Sequence, residues 1–336
     1  MNKLGIFVGE EKWTFFNEIF TSLDNHYQCE VFKLKTINTP FFYDRLNRWA
    51  VRSGILKILK RNDTCFFEWA SDYLSVASYL PKNCQIITRL HSFEIYQWAP
   101  RINWENVDKI ILVSESMRRT FIELYPDQSS KTKVIYNGRS LDKFKPPPER
   151  NFQFKVGMLC SITPIKRIYE VVLMMYDLRK QGFDFKLYIG GEPFGDFRYA
   201  KALYRLVGRL DLQDSVFFEG FVTDTAAWLR DIDVFISNSY WEGQQVALIE
   251  AIASGCYCIS HHWPGADEML PEENLFFTES QLKEKLIKFA TLGVEEKYCK
   301  SVEMREIATR KFDVRRTNQE IRSVIDEEFA KLQLAE

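Results

Sequence analysis

Ser237-Asn-Ser-Tyr-Trp-Glu-Gly-Gln-Gln-Val-Ala-Leu-Ile-Glu-Ala-Ile-Ala-Ser-Gly255 is the stretch from which the rest of the chain can be read. An apolar strand, Val234-Phe-Ile-Ser237, runs into it, and a second, Cys256-Tyr-Cys-Ile-Ser260, leaves it. Between them a loop opens a helix. Glu242 sits in the loop, and Glu250 is expected about two turns along the helix, with seven residues between the carboxylates. A strand–loop–helix–strand unit of this kind places backbone N–H groups and the positive end of a helix at the carboxyl edge of a parallel sheet, where phosphate binds. A carboxylate deeper in such a site can hold sugar hydroxyls. The stretch therefore points to nucleotide-sugar chemistry.

Outward from this stretch, apolar runs alternate with helical patterns. Strands are expected at Leu4–Val8, Glu30–Leu34, Cys65–Glu68, Gln85–Leu90, Lys109–Val113 and Lys133–Ile135 in the first half. The second half repeats the rhythm, with strands at Phe154–Leu159, Phe185–Ile189, Val216–Glu219, Val234–Ser237, Cys256–Ser260 and Leu275–Phe277. Strands alternating with helices indicate parallel α/β sheets. The 336 residues suit two domains better than one. Lys145-Pro-Pro-Pro-Glu-Arg150 reads as a stiff extended connector, because three prolines in a row fit neither a helix nor a central strand.

Composition excludes several classes. No apolar run approaches the ~20 residues of a membrane helix, and Met1–Val8 lacks the features of a signal peptide. The seven cysteines are odd in number and form no CxxC pair, which suits reduced thiols in a cytoplasmic protein. Residues 1–150 hold 22 Lys+Arg against 17 Asp+Glu, a balance of +5, whereas the remainder holds 23 against 29, a balance of −6. A basic first half suits an anionic acceptor or membrane surface. Nothing in the pattern calls for nucleic acid.

Further motifs carry a family resemblance. Val134-Ile-Tyr-Asn-Gly138 with Phe144-Lys-Pro146, Val156-Gly-Met-Leu-Cys-Ser-Ile-Thr-Pro-Ile-Lys166, Phe218-Glu-Gly-Phe-Val222 and Pro264-Gly-Ala-Asp-Glu268 stand in register with the Glu242/Glu250 pair. Together they resemble the retaining, metal-independent GT-B glycosyltransferases of family 4. The likeness is continuous from about residue 109 to 280 and mainly architectural before residue 85.

The resemblance implies an α/β GT-B fold, two Rossmann-like domains facing each other across a cleft. Residues 1–147 would form the acceptor-side domain and 148–312 the donor domain, with a helix over 313–333 packing back on the first. It implies transfer of a sugar from a nucleoside-diphosphate sugar to a glycan, lipid-linked or small-molecule acceptor, with no cofactor and no metal. Glu242 would lie by the donor sugar, and Glu250 would bind the ribose. Lys166 would neutralise the leaving diphosphate, and His91, at a strand end, would hydrogen-bond a sugar hydroxyl. Ser161, Arg167, Val222 and the backbone of Gly243, Gln244, Gln245 and Val246 would complete the donor site. Gly9, Phe93 and Glu94 are candidates for acceptor contact. Departures exist: Cys160-Ser161 stands where the family often has Gly-Arg, and the first loop offers only Gly9 before Glu10-Glu11. A phosphorylase, an epimerase or a non-catalytic nucleotide-sugar binder on the same fold are the other readings.

Two metal patterns are weighed and set aside. Asp231-Ile-Asp233 matches a DxD motif but precedes a strand, and His261-His262 are neighbours on a strand, which point to opposite faces. The segment 41–61 carries six basic residues and one acidic. It reads either as a helix packed on the first sheet with its basic face in water, or as a peripheral membrane contact.

Overall fold

A computed structural model describes residues 2–9, 13, 16–34 and 43–335. The chain divides into two compact units, residues 1–137 with 314–336, and residues 138–313. In the first unit the order is β1 (Lys3–Phe7), α1 (Asn17–Asp24), β2 (Gln28–Val31), α2 (Tyr43–Arg61), β3 (Thr64–Phe67), α3 (Asp72–Ala77), β4 (Gln85–Leu90), α4 (Glu94–Gln97), β5 (Lys109–Leu112), α5 (Glu115–Leu124) and β6 (Thr132–Val134). The second unit runs β7 (Lys155–Leu159), α6 (Ile168–Lys180), β8 (Lys186–Gly190), α7 (Phe197–Arg209), β9 (Val216–Gly220), α8 (Thr225–Arg230), β10 (Val234–Ser237), α9 (Val246–Ala253), β11 (Tyr257–His261), β12 (Leu275–Phe276), α10 (Glu279–Thr291) and α11 (Val294–Lys311). A last helix, α12 (Val314–Ala335), returns to the first unit.

Among the described residues each unit holds one six-stranded sheet, ordered β2-β1-β3-β4-β5-β6 and β12-β11-β10-β7-β8-β9, and the pairings are parallel. Strands covered on both faces read as unbroken apolar runs. Alternate residues therefore feed opposite cores: Phe67 packs with Phe7, Ile86 and Ile110 on one face, and Phe66 with Leu4, Ile87 and Ile111 on the other. α12 closes that second face with Ile321, Val324, Ile325 and Phe329.

The details differ from the expectations at several points. The units part at residue 137, ten positions before the boundary placed at 147. The proline run is held at both ends, because Pro146 and the flanking Arg150 have partners. Pro146 packs against Gly255, where an added Cβ would fall 3.0 Å from its ring. Arg150 donates to the carbonyl of Ile232 and, at 2.9 Å, to that of Ser254. α2 runs through Gly54 without a break, and the missing side chain makes room for the Phe32 ring, 3.0 Å from where a Cβ would stand. α11 is a full helix in a stretch for which no strand was expected. Glu10 and Glu11, which follow Gly9, lie outside the described residues.

Candidate active site

In the second unit the chain passes from β7 outward through β8 and β9, then returns to β10 on the other side of β7. Parallel strands whose connections diverge in this way leave a ligand-binding crevice at their carboxyl ends. The loops that follow β7 and β10 carry Lys166 and Glu242. The Lys166 ammonium meets Glu242 Oε1, and the Ser239 hydroxyl donates to the same oxygen at 2.6 Å. Both charged side chains are sheltered, at 16% and 15% exposure. Two hydrogen bonds tie the loops together, Asn238 Nδ2 to Arg167 O at 2.9 Å and Tyr240 N to Ile165 O at 3.3 Å. Arg167 adopts a left-handed turn (φ +50°), and its guanidinium reaches Glu170 at 3.5 Å.

α9 begins at Val246, so Glu250 lies just over one turn into the helix, nearer its N-terminus than expected. The Gln245 side chain makes no capping bond there, so the first-turn amides stay open to a ligand. Gly243, Gln244 and Gln245 are buried, and Gln245 Oε1 has no hydrogen-bond partner among the described residues. Glu250 is itself buried, with Oε1 3.0 Å from Arg139 Nε. Lys143 and the Thr225 hydroxyl also face it. Burial pushes its carboxyl above the usual range, and Arg139 is the largest opposing influence. Cys160, beside Lys166 and Glu242, is pushed up to about 12 by burial and stays a thiol. Ser161 is exposed at the loop tip, and Val222 packs over Gly190.

The other predicted residues lie in the first unit. His91 follows β4, its ring stacked on Trp69 at 4.0 Å and its Nε2 3.1 Å from Glu68 Oε1. Glu68 is fully buried and also takes a hydrogen bond from the buried Arg89, 2.9 Å. Arg89 in turn donates to Asn137 Oδ1. Phe93 is exposed beside Trp69. Glu94 faces inward, where its carboxylate accepts from the amides of His91 and Ser92 at 3.1 and 2.8 Å. It shapes the His91 turn and has no surface to offer an acceptor. Gly9 is half-buried at the end of β1.

The family profile described as "Glycosyl transferases group 1" matches residues 153–291, and that described as "Glycosyltransferase Family 4" matches residues 14–143. The chain belongs to the group 1 glycosyltransferases. It is 28% identical over 249 residues to the alpha-monoglucosyldiacylglycerol synthase of Streptococcus pneumoniae, covering 67% of this chain and 54% of that protein. It is 25% identical over 164 residues to Protein CapJ of Staphylococcus aureus, covering 47% and 40%. The chain spans about half the length of the curated relatives it matches. The crystal structure of Anabaena HepE in complex with UDP and glucose superposes with a TM-score of 0.79 at 19% identity, over 97% of this chain and all of that one. The fold is thus GT-B.

Within this GT-B chain the two metal patterns have other employment. Asp233 Oδ2 accepts from the backbone N–H of Gln153 and Lys155 at 2.8 and 3.0 Å, and Asp231 pairs with Lys155 at 2.7 Å. His261 packs edge-on to Phe276, while His262 stacks on Phe277. No cluster of three or more metal-ligating side chains occurs among the described residues. Sequence reasoning missed Ser239, Glu68, Arg89 and Arg139. Ser239 stood in the opening stretch and could have been noticed three residues before Glu242. The other three are ordinary in their local sequence and gain meaning only through partners brought by the fold.

Proposed function

We propose that this chain transfers a sugar from a nucleoside-diphosphate sugar to a hydroxyl acceptor, with retention at the anomeric carbon and without a metal. The observation that carries the reading is the Lys166–Glu242–Ser239 cluster at the β7/β10 edge, with Glu242 in the loop that leads into the open start of α9. Diphosphate would lie against the α9 amides and Lys166, whose positive charge offsets the charge growing on the leaving group. Glu242, held by Ser239, would accept hydrogen bonds from the sugar, and Glu250 from the ribose. His91 would contact a sugar hydroxyl. The anomeric C–O bond breaks with its electron pair passing to the diphosphate oxygen. The acceptor oxygen bonds the same face of the anomeric carbon, and its proton passes to the departing oxygen. Lys166 and the helix amides supply the positive charge that a metal provides elsewhere.

The donor and acceptor classes draw support from relatives. UDP and glucose occupy HepE, and the pneumococcal relative is named for a glycosylated diacylglycerol. A surface glycan or lipid-linked acceptor fits these names. Removing one oxyanion-stabilising donor costs about 10²–10³ in rate. Lys166→Ala should lower transfer by at least that order, measured as release of nucleoside diphosphate, and Glu242→Gln should lower it through the loss of charge-assisted hydrogen bonds to the sugar. A Glu242→Ala variant with full transfer activity would sink the assignment. Tight donor binding by the wild type with neither transfer nor donor hydrolysis would favour the non-catalytic binder.

A peripheral contact with the cytoplasmic membrane face is a second proposal, favoured by α2. Trp49 is 65% exposed on this helix, and Arg45, Arg48 and Arg52 are exposed with it. Only the later residues Ile55, Ile58 and Leu59 are buried. An exposed tryptophan among arginines suits an anionic interface. Flotation with anionic vesicles should fall when the three arginines are neutralised, and unchanged flotation removes the idea. No described helix is long and apolar enough to cross a membrane.

A further inference from the structure

Glu250, the residue proposed above to hold the ribose, is not alone at its site. Arg139 Nε stands 3.0 Å from its Oε1, with both side chains about nine-tenths buried. Arg139 is the second residue of the second unit, and its own backbone is fixed: its N–H donates to Phe312 O at 2.8 Å, and it forms a parallel bridge with Asp313. The guanidinium therefore projects from an anchored point. Buried carboxylates lose their charge unless a partner holds it. Here the charged groups facing Glu250 are Arg139 and Lys143, with the Thr225 hydroxyl beside them. Lys143 is itself exposed, which leaves Arg139 as the buried cation of the group.

We propose that Arg139 is a positioning residue for the donor nucleotide, holding the Glu250 carboxylate ionised and aimed so that it can accept hydrogen bonds from the ribose hydroxyls. This rests on the nucleotide-sugar reading. A fixed carboxylate is a far better acceptor for a pair of neighbouring hydroxyls than a carboxylic acid, which must donate one proton and is free to turn. The alternative is that the ion pair only anchors the start of the second unit to α9 and contributes nothing to the ligand.

The test compares ribo- and 2′-deoxyribonucleotides by titration calorimetry, using UDP against dUDP and GDP against dGDP. Wild type should bind the matching ribonucleotide roughly tenfold more tightly than its deoxy form, the discrimination of one charge-assisted hydrogen bond. In Arg139→Met that preference should shrink to about twofold or less while deoxynucleotide affinity changes little. A purely structural role would weaken both ligands alike and leave their ratio intact, which overturns the proposal. Should Arg139→Met fail to fold, Arg139→Gln keeps an N–H donor without the charge. In that variant the pH below which the ribose preference disappears should rise relative to wild type, since Glu250 takes up its proton more readily. An unchanged midpoint contradicts the role. If wild type binds none of these nucleotides, the nucleotide-sugar reading falls with it. If it binds them with the same ribose preference as Arg139→Met, only the role of Arg139 falls.

Discussion

Glu242, Glu250, Lys166 and His91 could be picked out of the sequence because each belongs to a local pattern: a spacing along one helix, a loop after a strand, a strand end. Their partners could not. Arg139 reaches Glu250, and Glu68 reaches His91, only after the sheets assemble. A local pattern proposes which residues face a ligand, whereas tertiary packing decides what holds them. Glu94 shows the reverse error. Its place beside His91 suggested an acceptor contact, but its carboxylate is spent on backbone amides. His261 gives a test at this scale. Burial, and then the Arg167 charge, hold its imidazole below the ordinary histidine range. A group with a depressed folded pKa takes up its proton more readily when unfolded, so the stability it confers is present above the ordinary value and lost as pH falls through it. His261→Asn should therefore flatten the decline in melting temperature as pH falls below about 6.5. Parallel wild-type and variant curves would show that His261 plays no part in that decline.

Among the elements, most strands and helices were legible because two-sided burial writes continuous apolar runs and amphipathic helices write a 3.6 period. α11 was not, and its residues show why. The face it buries includes Lys297 and Ser301 as well as Met304, Ile307 and Ala308, while Val294, Tyr298 and Val302 lie on the exposed side. Apolar period and burial disagree, so the pattern cancels. The buried polar groups are nonetheless satisfied: Lys297 Nζ donates to Ala290 O at 2.9 Å, and Ser301 Oγ to Gly255 O at 2.7 Å. One turn on, Arg305 donates to the carbonyls of Ala253 at 2.6 Å, Leu141 at 2.8 Å and Phe144. It fastens the opening segment of the second unit to the end of α9. Hydrogen bonds to a charged donor are worth about 1.5–3 kcal/mol, and a stranded carbonyl costs about 1–3. Arg305→Met should lower unfolding stability by about 2–3 kcal/mol in urea titration with an unchanged m-value. A loss under about 0.5 kcal/mol, typical of an uninvolved surface position, would contradict this clamp.

At the scale of the whole molecule, the alternation of strands and helices gave the two parallel sheets, and the matched motifs gave the GT-B class. Strand order was not legible, because nothing in a strand's own residues states which neighbour it pairs with. Yet that order matters most for function: the reversal at β7/β10 brings the loops of Lys166 and Glu242 together. This edge of the second unit is proposed to bind the nucleotide of a sugar donor. Its most direct test is the thermal shift of wild type and Lys166→Ala with UDP, GDP, ADP and their glucose or mannose conjugates. One nucleotide series should stabilise wild type by about 2.7 kcal/mol at 100 times its dissociation constant, and Lys166→Ala should lose most of that shift. Wild type indifferent to every nucleotide, or a Lys166→Ala protein that shifts as fully as wild type, would contradict the account.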